Sequence, residues 1–264
     1  MNESEGAALP GKSLAGKVAL ITGAVRRSGR ATALELAGMG ASIAINTRRS
    51  RDEAEGVARE IEAMGGKAGV YIADVADEAA VADMVGAIER EMGRTGGSGG
   101  VDILVNNAAD RARVPTLDLT LDEFHRIVHI ILDGAFLCSR AVIPHMLEKG
   151  WGRIVNISGS GNLVGYAERL HVHAGKGGLD AMTRSLSSEF SPRGITVNTV
   201  NVGKIGGERS ASSGPHPANV PDSLPIGFDG EPVDIANAVG FLCRPASRFI
   251  TGQMLHVNGG EYMA

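Results

Sequence analysis

The segment Thr22-Gly23-Ala24-Val25-Arg26-Arg27-Ser28-Gly29 follows a short apolar run, Val18–Thr22, and opens a helical pattern. Glycines at a strand-to-helix turn let backbone amides approach a pyrophosphate, and the positive end of the helix then stabilises it. The chemistry this predicts is dinucleotide binding, with Gly23 and Gly29 at the points of close approach. The second apolar strand ends at Asn46-Thr47-Arg48-Arg49, where an acidic residue would hold the ribose 2′-hydroxyl of NAD. None is present. Arg26, Arg27, Arg48 and Arg49 instead supply cations suited to a 2′-phosphate, so the residues read as an NADP(H) site. Exposed surface arginines are the alternative.

The elements that must position these residues alternate along the chain. Val18–Thr22, Ser42–Asn46, Ala68–Ala73, Val101–Asn106, Ile154–Ile157, Ile195–Val200 and Met254–Val257 read as strands. Gly29–Met39, Asp52–Met64, Glu78–Met92, Leu121–Lys149, His173–Phe190 and Pro232–Cys243 read as helices. Runs such as VALIT and DILVN are apolar throughout, which suits a parallel sheet covered on both faces. The expected fold is therefore α/β: a doubly wound, Rossmann-type parallel sheet of about seven strands in a single domain. A polar tail is expected over residues 1–14 and the domain over 15–264. Gly93–Gly100 reads as a surface loop. Lys204–Gly230, rich in Gly, Ser, Pro and Asn, is too long for a simple connection and reads as a substrate lid at a strand's carboxyl end.

Composition narrows the function classes. The 264 residues carry a net charge of −4 and no long basic stripe, which argues against nucleic acid as partner. No secretory signal and no membrane span are read, so a cytoplasmic protein is expected. Cys138 and Cys243 each sit in an apolar helical pattern and read as buried thiols, and neither has a neighbour at metal-ligand spacing. No metal is expected.

Several motifs in order resemble the short-chain dehydrogenase/reductase family over nearly the whole length: TGAVRRSG, ADVAD at 73–77, NNAA at 106–109, IVNIS at 154–158, ITVNTV at 195–200 and ITGQMLHVNGG at 250–260. The resemblance implies that Asp74 and Val75 border an adenine, that Asn106 and Ala108 line the cofactor, and that the Ile205 backbone grips the nicotinamide carboxamide. It also implies a homo-oligomer, commonly a tetramer, acting on a small molecule. Arg27 stands where the family usually has its middle glycine. The pteridine reductase branch looks similar there, and its arginine belongs to an NADP site.

By the same resemblance a Tyr gives the proton and a Lys four residues later binds the ribose. A Ser thirteen residues before the Tyr holds the carbonyl oxygen, and an Asn in the long preceding helix holds a relay water. Aligning Ala174-Gly175-Lys176-Gly177-Gly178-Leu179 with the family pattern keeps Lys176 but puts Val172 at the Tyr, Gly159 at the Ser and Ile131 at the Asn. Tyr166, the one nearby tyrosine, lies ten residues before Lys176. The candidate replacements are Ser158 or Ser160 after a small loop shift, and His173, about 60° round a helix from Lys176. His171 and His216 are further candidates. Three readings stay open: an NADP(H)-dependent oxidoreductase, like a 3-oxoacyl reductase overall, with an atypical site; a non-catalytic NADP-binding sensor; and a lyase or isomerase reusing the pocket.

Overall fold

The run Val18–Ile21 forms β1, and its side chains alternate between two buried clusters: Ala19 and Ile21 enter one, Val18 and Leu20 the other. That division repeats across the sheet and explains strands that are apolar on both faces. The computed structural model describes residues 12–93, 98–207 and 224–264. β2 (Ser42–Thr47), β3 (Lys67–Ile72), β4 (Ile103–Asn106), β5 (Gly152–Ile157), β6 (Ile195–Val202) and β7 (Met254–Val257) complete an all-parallel sheet in the order β3-β2-β1-β4-β5-β6-β7. The doubly wound expectation holds. β5 starts two residues before the expected Ile154 because Gly152 already pairs with Ile195, and β6 runs on to Val202 because it pairs with Val257.

Helices cover both faces. α1 (Arg27–Gly38), α2 (Arg51–Ala63) and α8 (Pro232–Cys243) bury Leu36, Ile61 and Val239 on one side. α3 (Glu78–Met92) and α5 (Gly134–Lys149) bury Ile88, Cys138 and Met146 on the other. α7 (Leu170–Phe190) packs Leu186 and Phe190 against that second cluster, and α4 (Leu121–Val128) and α6 (Gly161–Val164) complete the longer helical elements used below. Leu14, placed in the N-terminal tail by the sequence reading, is fully buried, and its N–H donates to the Met39 carbonyl (2.9 Å). Burial pushes both thiols, Cys138 and Cys243, up to about 12.

The expected single helix Leu121–Lys149 is in fact three pieces, with a π-helical turn, His129–Asp133, between α4 and α5. α7 presses on this turn with its glycines: a Cβ on Gly175 would lie 3.1 Å from Ile131 and one on Gly178 would lie 2.8 Å from Leu132. The stretch is also long and apolar enough by composition to cross a membrane, against the sequence expectation. Half of its most apolar window is buried inside the fold, as in a core helix.

Candidate active site

β1 and β4 are neighbours whose following connections leave in opposite directions, and the crevice between their carboxyl ends is where ligands bind in such sheets. Gly23 begins the turn with φ +63°, and a Cβ there would meet the Ala108 Cα at 3.1 Å. A Cβ on Gly29 would sit 2.5 Å from the Gly23 carbonyl and 2.7 Å from Asn107 Nδ2. Asn107, which sequence reasoning missed, ties the turn down by donating to the Thr22 and Gly23 carbonyls (2.9 and 3.0 Å). Thr22 Oγ1 in return accepts from the Asn107 and Ala108 amides. The first turns of α3 and α4 are closed by Asp77 and Thr120, and that of α8 by Glu231 with Asp234. α1 has no side-chain cap and no acidic residue in its first turn, so its positive end is left for an anion.

The four arginines do not act as one group. Arg48, after β2, lies 3.6 Å from Asp74, and Arg26 pairs with Glu53 on α2. Arg27 reaches the other way, across the cleft, and donates to the carbonyls of Ile205, Gly206 and Gly207 (3.0, 3.1 and 3.2 Å). It holds φ +46°, the left-handed region a glycine adopts without cost. Val75 packs against Gly134, whose missing Cβ would lie 2.7 Å away. Asn106 turns its side chain into the interior, donating to Asn156 Oδ1 (2.8 Å) and Ser139 Oγ (3.3 Å).

Lys176, on α7, is 5% exposed, and its ammonium donates to the Ile157 carbonyl at the end of β5. Burial, helped by Arg111, brings its pKa down to about 7, while Asp180 one turn later opposes the shift. Asp180 accepts from Asn162 Nδ2 (2.7 Å), and burial raises its carboxyl above the usual range. Val172 and Ile131 lie in one small apolar cluster with Ile127, Ala135 and Leu179. At Gly159 a Cβ would have only the Val202 carbonyl nearby, at 3.5 Å.

A family profile described as enoyl-(acyl carrier protein) reductase matches residues 23–261. The 3-oxoacyl-[acyl-carrier-protein] reductase FabG of Staphylococcus epidermidis is 36% identical over 248 residues, covering 94% of this chain and 99% of that protein. The Synechocystis 3-oxoacyl-[acyl-carrier-protein] reductase is 33% identical over 252 residues, covering 95% and 99%. The crystal structure of a dehydrogenase/reductase from Sinorhizobium meliloti 1021 superposes with a TM-score of 0.87 at 32% identity, covering 96% of this chain and 98% of that one. The chain belongs to the short-chain dehydrogenase/reductase family.

As a short-chain dehydrogenase/reductase it has the glycine turn and the buried lysine; the sequence reading expects valine, glycine and isoleucine at the other three catalytic positions. The expected stand-ins are engaged elsewhere. Ser158 is buried beside the Asp180 carboxyl. Ser160 Oγ donates to the carboxylate of Glu261, which follows β7. His173 packs on the Tyr166 ring (centroids 6.4 Å apart), and burial first, then Arg169 and His171, lower its pKa to about 4. It is therefore neutral at physiological pH. His171 is fully buried with both ring nitrogens lacking a partner. His216 lies outside the described residues, as does most of the expected lid. Tyr166 and Glu261 were the residues sequence reasoning left unused, although Tyr166 was the one tyrosine near Lys176.

The phosphate turn of this short-chain dehydrogenase/reductase allows a sharp test. A methyl group at Gly29 would overlap the Gly23 carbonyl, so Gly29→Ala is expected to destabilise the chain by about 1–3 kcal/mol. It should also remove measurable dinucleotide binding in a nicotinamide fluorescence titration. Wild-type affinity in this variant would show that the turn does not hold the cofactor.

Proposed function

We propose that the chain is an NADP(H)-dependent oxidoreductase with an atypical active site, acting in the cytoplasm on a small molecule. The observation that carries this reading is the buried Lys176 amine at the carboxyl end of β5, where α7 faces the cleft. The residues present fit a phosphorylated dinucleotide. The uncapped end of α1, with Gly23 and Gly29, suits the pyrophosphate. Arg48, with Arg26 nearby on the same side, suits the 2′-phosphate, and Asp74 and Val75 suit the adenine. Ala108, Lys176 and the backbones of Asn106 and Ile205 suit the nicotinamide half, where Arg27 holds the Ile205 carbonyl. When bound, the cofactor supplies a hydride; the chain supplies orientation and a water-poor wall of Val172 and Ile131. His173, Ser158 and Ser160 stay the candidates for moving a proton. Exposed Phe228, Val233, Phe241 and Phe249 support a homo-oligomer, either a dimer or a tetramer.

Equilibrium titration with NADPH and NADH tests the reading. Binding of neither at millimolar concentration ends it. Arg48→Ala is expected to weaken NADPH by about tenfold or more while leaving NADH nearly unchanged, since a charged hydrogen bond is worth ~1.5–3 kcal/mol. Equal loss for both would place the 2′-phosphate elsewhere. A second reading, a dinucleotide-binding protein without turnover, is favoured by the joint replacement at 131, 159 and 172.

A further inference from the structure

Glu261 follows β7, and its carboxylate is clasped by two hydroxyls from the loop beyond β5: Ser160 Oγ on one oxygen and Tyr166 Oη on the other. Ser160 is itself fixed, because its N–H donates to the Val202 carbonyl (2.9 Å). Among the described residues no lysine, arginine or histidine forms an ion pair with Glu261. The anionic environment reaches Tyr166, whose phenol is raised by burial and by Glu261, with no cation opposing. The clasp borders the reacting position. Ser160 is one residue beyond Gly159, and Tyr166 leans on His173, the neighbour of Val172. Arg111 is the cation that acts on Lys176.

A second observation concerns what the site no longer offers. Gly159 and Val172 cannot hold an oxyanion or give a proton, and Ile131 cannot hold a relay water. His173 is neutral, and Tyr166 is a weaker acid than a free phenol. A substrate that already carries its proton and its positive charge needs none of these groups. It needs a counter-ion.

We propose that Glu261 is that counter-ion: the clasped carboxylate binds an ammonium or iminium nitrogen of a small cationic substrate. The assignment rests on the oxidoreductase reading of the same site. In the reducing direction the iminium carbon accepts the hydride pair, the C=N π pair moves onto nitrogen, and NADPH becomes NADP⁺. The neutral amine formed takes its proton from water, so no protein acid is consumed. Preorganisation by two hydroxyl donors keeps the carboxylate in place without neutralising it.

Binding of pyrrolidinium, compared with cyclopentanol, a neutral five-ring compound of similar size, tests this by calorimetry with and without NADPH. The wild-type chain is expected to bind the cation at least tenfold more tightly than the alcohol. Glu261→Gln, which keeps the shape, accepts from one hydroxyl and donates its amide to the oxygen of the other, should weaken the cation by about 10- to 100-fold and leave the alcohol unchanged. Tyr166→Phe keeps the charge and should lose no more than a few-fold. Equal binding of cation and alcohol, no cation binding at tens of millimolar, or an unaffected cation in E261Q overturns the proposal. The wild-type comparison decides the matter even if E261Q does not fold. Failure of NADPH to bind while pyrrolidinium still does would sink the oxidoreductase reading alone.

Discussion

Lys176→Met is expected to yield a chain that is more stable below neutral pH and binds NADPH more weakly. The amine is buried, with a pKa near 7 against an ordinary 10.5. A lysine whose folded value is depressed destabilises the fold fully below that value. The penalty fades as pH rises from about 7 towards the unfolded value, because the unfolded chain binds more protons across that window. At ~1.4 kcal/mol per unit, the shift bounds the penalty at about 5 kcal/mol. Urea denaturation of the cofactor-free protein should therefore show stability rising between about pH 7 and 10, and Lys176→Met should flatten that rise. The same substitution removes the cation that would face the ribose, so NADPH affinity should drop by about 10- to 100-fold. A variant with the wild-type pH slope would show that the amine is not buried as a charge. A variant with wild-type affinity would remove Lys176 from the cofactor site.

The second large effect is a gain. Gly159→Ser combined with Val172→Tyr should raise NADPH-dependent reduction of a neutral ketone by about 10²- to 10⁴-fold, the usual contribution of a positioned general acid. The serine fits, since a Cβ at 159 meets only the Val202 carbonyl, at ordinary contact distance. The tyrosine would stand one helical turn before Lys176, whose charge lowers a phenol pKa. Crowding comes from Ile131, which shares the apolar cluster with Val172, so adding Ile131→Asn makes room and restores the polar site for a relay water. Val172→Phe in the same background, with the ring but no hydroxyl, should show no gain. If the Tyr variant binds NADPH and gains nothing over the Phe variant, the register that puts residue 172 above the nicotinamide is wrong. If activity appears only in the restored variant and the natural chain turns nothing over, the binding-protein reading is favoured.

The fold was largely legible because its signals are local. Apolar runs bounded by glycine give buried strands, and the glycine turn at residues 22–29 is fixed by contacts within the first βα unit and with Asn107. The π turn at His129–Asp133 was not legible, since it answers to the glycines of α7, which lie some forty residues on in the chain. The arginines show the same limit at the site. Composition marked four cations near a phosphate, but Arg27 is directed by carbonyls about 180 positions away, which no spacing announces. The expectation of Val172, Gly159 and Ile131 at the Tyr, Ser and Asn positions came from an aligned motif. That Ser160 and Tyr166 converge on Glu261 could not be read that way, because 101 and 95 positions separate them from it.

The connection after β6 is fastened at both of its stems. Arg27 holds the carbonyls of 205–207, Ile205 forms a β-bridge with Gly230, and Lys204 pairs with Asp229 at 3.1 Å. Because the stems meet, chain inserted between them changes the closure entropy only slowly, by about 0.6 kcal/mol for each doubling of length. Length changes between those anchors are therefore expected to leave the stability of the α/β frame nearly unchanged.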